Sequence, residues 1–167
     1  MVADPLSTAV SIRRAGPGDY EAICELAELM DAPQREALPD RFRKPSGPVR
    51  LRDRTKKLMH DPDTFLAVAE LDGRVVGVTN CGLLRMGDFP QKHPMTSLLV
   101  RGLVVRPELR RKGIATALVE KALAWARVKG ATEVQANVYD FNRPAAAFFA
   151  SLGLAPLSHR LVRHLDD

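Results

Sequence analysis

The chain has 167 residues, 46% of them apolar and 27% charged, with a formal net charge of +5. That is the size of one ordinary domain with enough length to bury a core, and it holds no repeat, no low-complexity tract and no apolar run near the roughly 20 residues of a membrane span. The opening MVADPLSTAV lacks the basic-then-apolar order of a secretion signal. The two cysteines, Cys24 and Cys81, are too few for a disulfide scaffold and lack metal-ligand spacing, so a cytoplasmic protein without metal is the expectation.

In chain order, Val10 to Arg13 alternates as a short strand, and Gly16-Pro17-Gly18-Asp19 is a turn able to start a helix. Ile23, Leu26, Ala27 and Met30 recur at helical spacing within Tyr20 to Met30, with Glu21, Glu25 and Glu28 on other faces. Ala32 to Pro48 carries four prolines and reads as a loop with room for one helical turn, and Val49 to His60 as a strongly basic helix stopped by Asp61-Pro62. Thr64 to Leu71 and Arg74 to Leu84 are strands joined by Asp72-Gly73, a strong two-residue hairpin signal. After a polar loop from Arg85 to Met95, Thr96 to Val105 is a nearly continuous apolar strand of the kind found at the centre of a sheet.

The second half is more regular. Ile114, Leu118, Ala122 and Trp125 form one stripe in a helix from Gly113 to Lys129, closed by Gly130, and the stripe makes Trp125 a core residue. Glu133 to Tyr139 is a strand, Asn142 to Leu152 a short helix with Pro144 in its first turn, and Pro156 to Leu165 alternates as one last strand. This order predicts a mixed α/β sheet with helices packed on it, in a single domain over residues 1–167.

Positive charge gathers in two places, Arg41 to Lys57 and the short turn Arg106 to Lys112. Neither has aromatic residues interleaved beyond Phe42, which argues against nucleic acid and for solvated surface or a small-anion site.

The turn is the informative segment. In LVVRPELRRKGIATALV a buried strand ends at Val105, a basic turn follows, and Gly113 opens a helix. First-turn amides have no partner inside a helix, and the helix dipole places partial positive charge there. A glycine lets a phosphate approach that backbone closely, and Arg110, Arg111 and Lys112 add full charges. Neither GxxxxGK[ST] nor GxGxxG after a strand is present, so the usual nucleotide turns do not fit.

Arg110-Arg111-Lys112-Gly113-Ile114-Ala115 resembles the [RQ]-x-x-G-x-[GA] pyrophosphate loop of the GNAT (Gcn5-related N-acetyltransferase) family. The lead-in Leu103 to Glu108 resembles that family's L-x-V-x-P-x strand end, and Asn142-Arg143-Pro144-Ala145, Phe148-Phe149 and Leu152-Gly153-Leu154 resemble its N-x-x-A…(F/Y)…LGF segment. The resemblance spans Ile12 to Leu165 and implies a mostly antiparallel sheet with helices on both faces and central strands splayed to admit the cofactor.

It also implies roles. Arg110, Arg111, Lys112, Gly113, Ile114, Ala115 and Thr116 would hold the pyrophosphate of acetyl-CoA. Backbone groups of Leu103 and Val105 would pair with the pantetheine arm, and an amide at Leu103 or Val104 would polarise the thioester carbonyl. Asn142 and Phe149 would border the cofactor, Asn142 while capping its own helix. The activity implied is transfer of an acetyl group to a primary amine by direct attack. Dimers are common in the family, which leaves a homodimer open.

Two departures matter. Phe149 stands where family members often place a proton-donating tyrosine, and Arg101-Gly102 where many carry a carboxylate base. Tyr139 becomes the candidate acid, and Asp88, His93 and Asp140 the candidate bases, each also readable as a solvated loop residue. Arg101, directed into the cleft, would favour an acceptor bearing a carboxylate or phosphate. Cys81, inside a strand, reads as a small core residue and not as a nucleophile. The missing acid and base keep a second reading open, a catalytically silent module that binds acyl-CoA.

Overall fold

The computed structural model describes residues 10–165. They fall into two compact units that divide between Asn137 and Val138. The first carries a five-stranded sheet of β1 (Val10–Arg14), β2 (Thr64–Leu71), β3 (Arg74–Met86), β4 (Met95–Val105) and β5 (Glu133–Ala136), in that spatial order. The first three pairings are antiparallel and β4 pairs with β5 in parallel, the crossover between them being helix α3 (Ile114–Val128).

Apolar alternation on β3 and β4 builds two cores. Val75, Val78 and Val104 pack with Ile23 and Leu26 of α1 (Tyr20–Ala37) on one face, with Leu58 of α2 (Arg52–His60) against them. Val76 and Val105 pack with Ile114 and Leu118 of α3 on the other. Helices therefore cover both faces, as expected, and the predicted hairpin forms with Asp72 and Gly73 at φ of 51° and 76°.

Three expectations are corrected. Helix α1 does not stop near Met30 but runs through Pro33 to Ala37. A proline deletes one backbone donor, and the Arg35 guanidinium bridges to Glu28 across that break. Strand β5 ends at Ala136, which leaves Tyr139 outside it. Residues 156–165 form no strand, because alternation supplies a pattern but no hydrogen-bonded partner; Leu157, Leu161 and Leu165 are exposed. The second unit contains α4 (Arg143–Ser151), whose Asn142 caps it by accepting from the Ala145 amide at 3.2 Å. No helix among the described residues is long and apolar enough to cross a membrane.

Candidate active site

The pairing of β4 with β5 stops at Val100 and Ala136, so the sheet opens beyond that point. Arg101 to Val105 keep β3 on one side and have no strand on the other. The Arg106 amide donates to the Val76 carbonyl at 2.9 Å. Alternation along the ladder then turns the backbone groups of Leu103 and Val105 toward the open edge. The Val105 carbonyl already accepts from Arg110 Nε at 3.1 Å, which ties the basic turn to the strand end.

After a short 3₁₀ turn at Pro107–Leu109, Arg111 takes a left-handed conformation (φ 62°), as does Gly113 (φ 79°), the residue that precedes α3. Left-handed geometry costs a side-chain-bearing residue roughly 1–2 kcal/mol, so the turn holds Arg111 in a shape it would not choose alone. Gly113 offers no side-chain cap, and the first turn of α3 contains no acidic residue. The amides at Ile114, Ala115 and Thr116 thus have no acceptor within the helix and stand beside three exposed cations, Arg110, Arg111 and Lys112. Unpartnered amides, the dipole of a 15-residue helix and three cations gather at one helix start, the features that favour an anion.

A cavity of about 90 Å³ lies on the α1 face of the same strands, lined by α1, α2, β2, β3 and β4. A larger one of about 290 Å³ lies across α1, beside Cys24, Glu28 and residues 44–49, and no β4 residue reaches it. The smaller cavity therefore adjoins the open edge. Its shape depends on a bulge: Asn80 pairs with Gly102 and Cys81 with Val100, so Arg101 is an extra residue in β4. The bulge turns Arg101 and Gly102 to the same face, and both line the cavity. An added Cβ on Gly82 would lie 2.4 Å from the Arg101 guanidinium, so glycine is what lets that group rest on β3.

Two further polar groups share the cavity. Arg50 is held by Asp31 through contacts of 2.7 and 3.1 Å. Asn80 Oδ1 is buried with no hydrogen-bond partner among the described residues. Asn80 was missed in the sequence; the signal was a polar residue sharing the parity of Val78 in an otherwise apolar strand.

Two of the remaining candidates are placed apart within the first unit. Asp88 and His93 lie exposed in the loop before Met95, about 26 Å of strand away from Leu103 if β4 runs straight. The structure does not bring them to the open edge. Tyr139, on the second unit, stacks on Phe141 with ring centroids 5.8 Å apart, and Asp140 beside it is exposed. Phe149 packs edge-on against Phe148 in α4. Cys81 is fully buried, burial pushes its thiol up to about 11, and Thr79 Oγ1 lies 3.3 Å from its sulfur. It stays protonated at neutral pH, as a core residue would. Trp125 packs on Phe65 at 5.4 Å, as its place on the stripe predicts.

The acetyltransferase (GNAT) family model matches residues 26–154, well over half of the chain. The chain belongs to that family. An N-acetyltransferase of Methanocaldococcus jannaschii, itself uncharacterised, is 29% identical over 96 residues, which is 58% of this chain. The match spans only 41% of that curated relative's length. Among solved structures, a mutant of a Bacillus halodurans protein superimposes with a TM-score of 0.88 at 21% identity, over 93% of this chain and 99% of that one. An aminoglycoside 6′-N-acetyltransferase of Acinetobacter baumannii does so with a TM-score of 0.71 at 19% identity, over 95% and 98%. At these identities the likeness is one of fold, and it extends the GNAT architecture over nearly the whole chain.

Proposed function

We propose that this GNAT protein transfers the acetyl group of acetyl-CoA to a primary amine by direct attack in a ternary complex. The observation that carries the reading is the uncapped, left-handed turn before α3 standing next to the unpaired edge of β4. The turn suits a pyrophosphate and the adjoining edge suits an amide-bearing arm. A solved aminoglycoside N-acetyltransferase at a TM-score of 0.69 and 15% identity holds CoA, which supports the choice of cosubstrate.

In this reading Arg110, Arg111, Lys112 and the amides from Gly113 to Thr116 bind the pyrophosphate. Leu103 and Val105 extend the sheet along the pantetheine arm, and the Leu103 amide polarises the carbonyl, the Val104 amide being turned to β3 by the same alternation. Asn142 and Phe149 are the residues of the second unit that the family pattern assigns to the cofactor. Bound acetyl-CoA supplies an activated thioester. The amine nitrogen forms the new N–C bond while the C–S bond breaks; the sulfur leaves with the electron pair, and the proton on nitrogen passes to water. No carboxylate lines the cavity, so the amine must arrive neutral. At a pKa near 10.4 only about one molecule in 2,500 is neutral at pH 7, a term of roughly 4–5 kcal/mol.

Calorimetric titration of the full chain with acetyl-CoA, followed by assay of free CoA with an amine panel, tests the reading. Micromolar binding and amine-dependent CoA release are expected. Failure to bind at millimolar acetyl-CoA would overturn it. Binding without turnover on any amine, peptide or antibiotic would favour the silent acyl-CoA-binding module, which the missing tyrosine at Phe149 motivates.

A further inference from the structure

The cavity beside the bulge presents one unpartnered hydrogen-bond acceptor in a small apolar space, with one exposed, uncommitted cation among its lining residues. The acceptor is Asn80 Oδ1, buried and unpartnered among the described residues. Burying such an atom without a donor is costly, so a bound donor there is favoured over an empty position. The cation is Arg101. Arg50 is already neutralised by Asp31, whereas the Arg101 guanidinium makes no ion pair among the described residues and is laid on β3 by the bulge and by Gly82. Asp61, which feels its charge, is occupied by the Asp63 amide at 2.9 Å and the Thr64 hydroxyl at 2.8 Å. Around these two groups lie Ile23, Ala27, Leu58, Leu66 and Val78, and no acidic side chain lines the space.

Resting on the acetyltransferase reading above, we propose that the acceptor is a small amino acid: a primary amine with its own carboxylate and a compact apolar side chain. Its N–H donates to Asn80 Oδ1, and its carboxylate is taken by Arg101. The remainder packs against Ile23 and Leu66. Each feature narrows the choice. A single free guanidinium balances one monoanion, which favours a carboxylate over a dianionic phosphate. A space of about 90 Å³ suits the head and side chain of a small amino acid. The free Arg101 guanidinium, with no lining carboxylate beside it, disfavours a polycation, so aminoglycosides are not the acceptors of this proposal even though a fold neighbour is an aminoglycoside acetyltransferase. Asn80 stands opposite Gly102, one residue before Leu103, so an amine held on its Oδ1 is next to the open edge where the thioester would lie.

The test uses the full chain and matched acceptors: apolar amino acids, their primary amides and the corresponding decarboxylated amines, with aminoalkyl phosphonates and aminoglycosides as comparators. Acetyl-CoA affinity is measured first on every variant, so that loss of cofactor binding, which would sink the function itself, is kept apart from loss of acceptor recognition. The expected result is a kcat/KM for the free acid at least tenfold above its amide. Arg101→Gln should erase that ratio with acetyl-CoA affinity unchanged, and Asn80→Ala should lower turnover of acid and amide alike. Gly82→Ala leaves the charge in the protein but displaces the guanidinium, and it should reduce the ratio while cofactor binding holds. Equal turnover of acid and amide, preference for a phosphonate or aminoglycoside, or no acetylation across the panel by protein that binds acetyl-CoA would each overturn the proposal.

Discussion

The turn before α3 and the cavity beside Arg101 sit at neighbouring positions on β4, yet they are built in opposite ways. The turn is made of backbone: two left-handed residues, an uncapped helix start and the unpaired edge of Leu103 and Val105, with exposed cations added at its rim. The cavity is made of side chains, with one unpartnered amide oxygen and one guanidinium free of any ion pair beside apolar groups. A backbone site recognises a shape shared by every member of a cofactor class. A side-chain site can be changed one residue at a time, and in the proposal above it is there that the acceptor is chosen.

The two regions should therefore be separable by mutation. The largest effect is expected from replacing Arg110, Arg111 and Lys112 together by alanine. Exposed charges contribute about 0.3–1 kcal/mol each, so acetyl-CoA should bind roughly 5- to 150-fold more weakly, with a flatter salt dependence, while the acceptor KM at saturating cofactor stays put. Calorimetry at two ionic strengths checks this, and a matching change in acceptor KM would break the separation.

The pH profile comes next. With no carboxylate in the cavity, kcat/KM for the acceptor should climb about tenfold per pH unit up to the pKa of the amine itself. A plateau near neutral pH would reveal a base that the cavity lining does not contain.

Gly113→Ala places a Cβ at φ 79° on the surface that faces the ligand. About 1–2 kcal/mol of left-handed strain plus lost approach should weaken acetyl-CoA about tenfold, again without moving acceptor selectivity. Thermal unfolding measured beside the titration separates the two contributions.

A change in the scaffold serves as a control for both regions. Asp19 accepts from both Arg13 guanidinium nitrogens, at 2.7 and 2.9 Å, and this holds its carboxyl below the usual range. A carboxyl with a lowered folded-state pKa stabilises the fold above its unfolded value near 3.9 and loses that contribution as pH falls through the folded value. Asp19→Asn should cost about 1–2 kcal/mol at pH 7 and flatten the acid limb of stability below about pH 4, as read from urea midpoints. Cofactor and acceptor constants should not change.

The smallest effect is expected at Cys81. Replacing this buried thiol with alanine should cost about 1 kcal/mol in stability and leave turnover intact, whereas loss of turnover in a folded variant would restore the covalent route.

The same contrast explains what the sequence disclosed. Backbone demands leave local marks: Asp72-Gly73 announces its hairpin and Gly113 its turn, because few residues tolerate those dihedrals. Apolar stripes located the helices and the cofactor strand. Helix α1 past Pro33 was hidden because a proline is a strong local stop signal, whereas the Arg35–Glu28 bridge, two turns apart on one helix, forms only if the helix continues. The strand expected over residues 156–165 failed for the converse reason, since alternation says nothing about a partner. The cavity was the least legible part. Whether Arg101 and Gly102 share a face depends on register, and register is set between strands, not within one. Asn80 could have been singled out from its neighbours; its pairing with Arg101 could not.

The bulge at Arg101 also acts as a joint in the chain. Removing its extra residue would let Val100 and Gly102 meet Cys81 and Asn80 in an unbroken ladder, without flipping Leu103 to Val105 to the opposite face. The part of the strand that meets the acceptor can thus gain or lose length and charge while the part that meets the cofactor stays in phase. A lineage built on this strand is free to change its substrate by tinkering at one position, with the cost of each trial confined to that substrate.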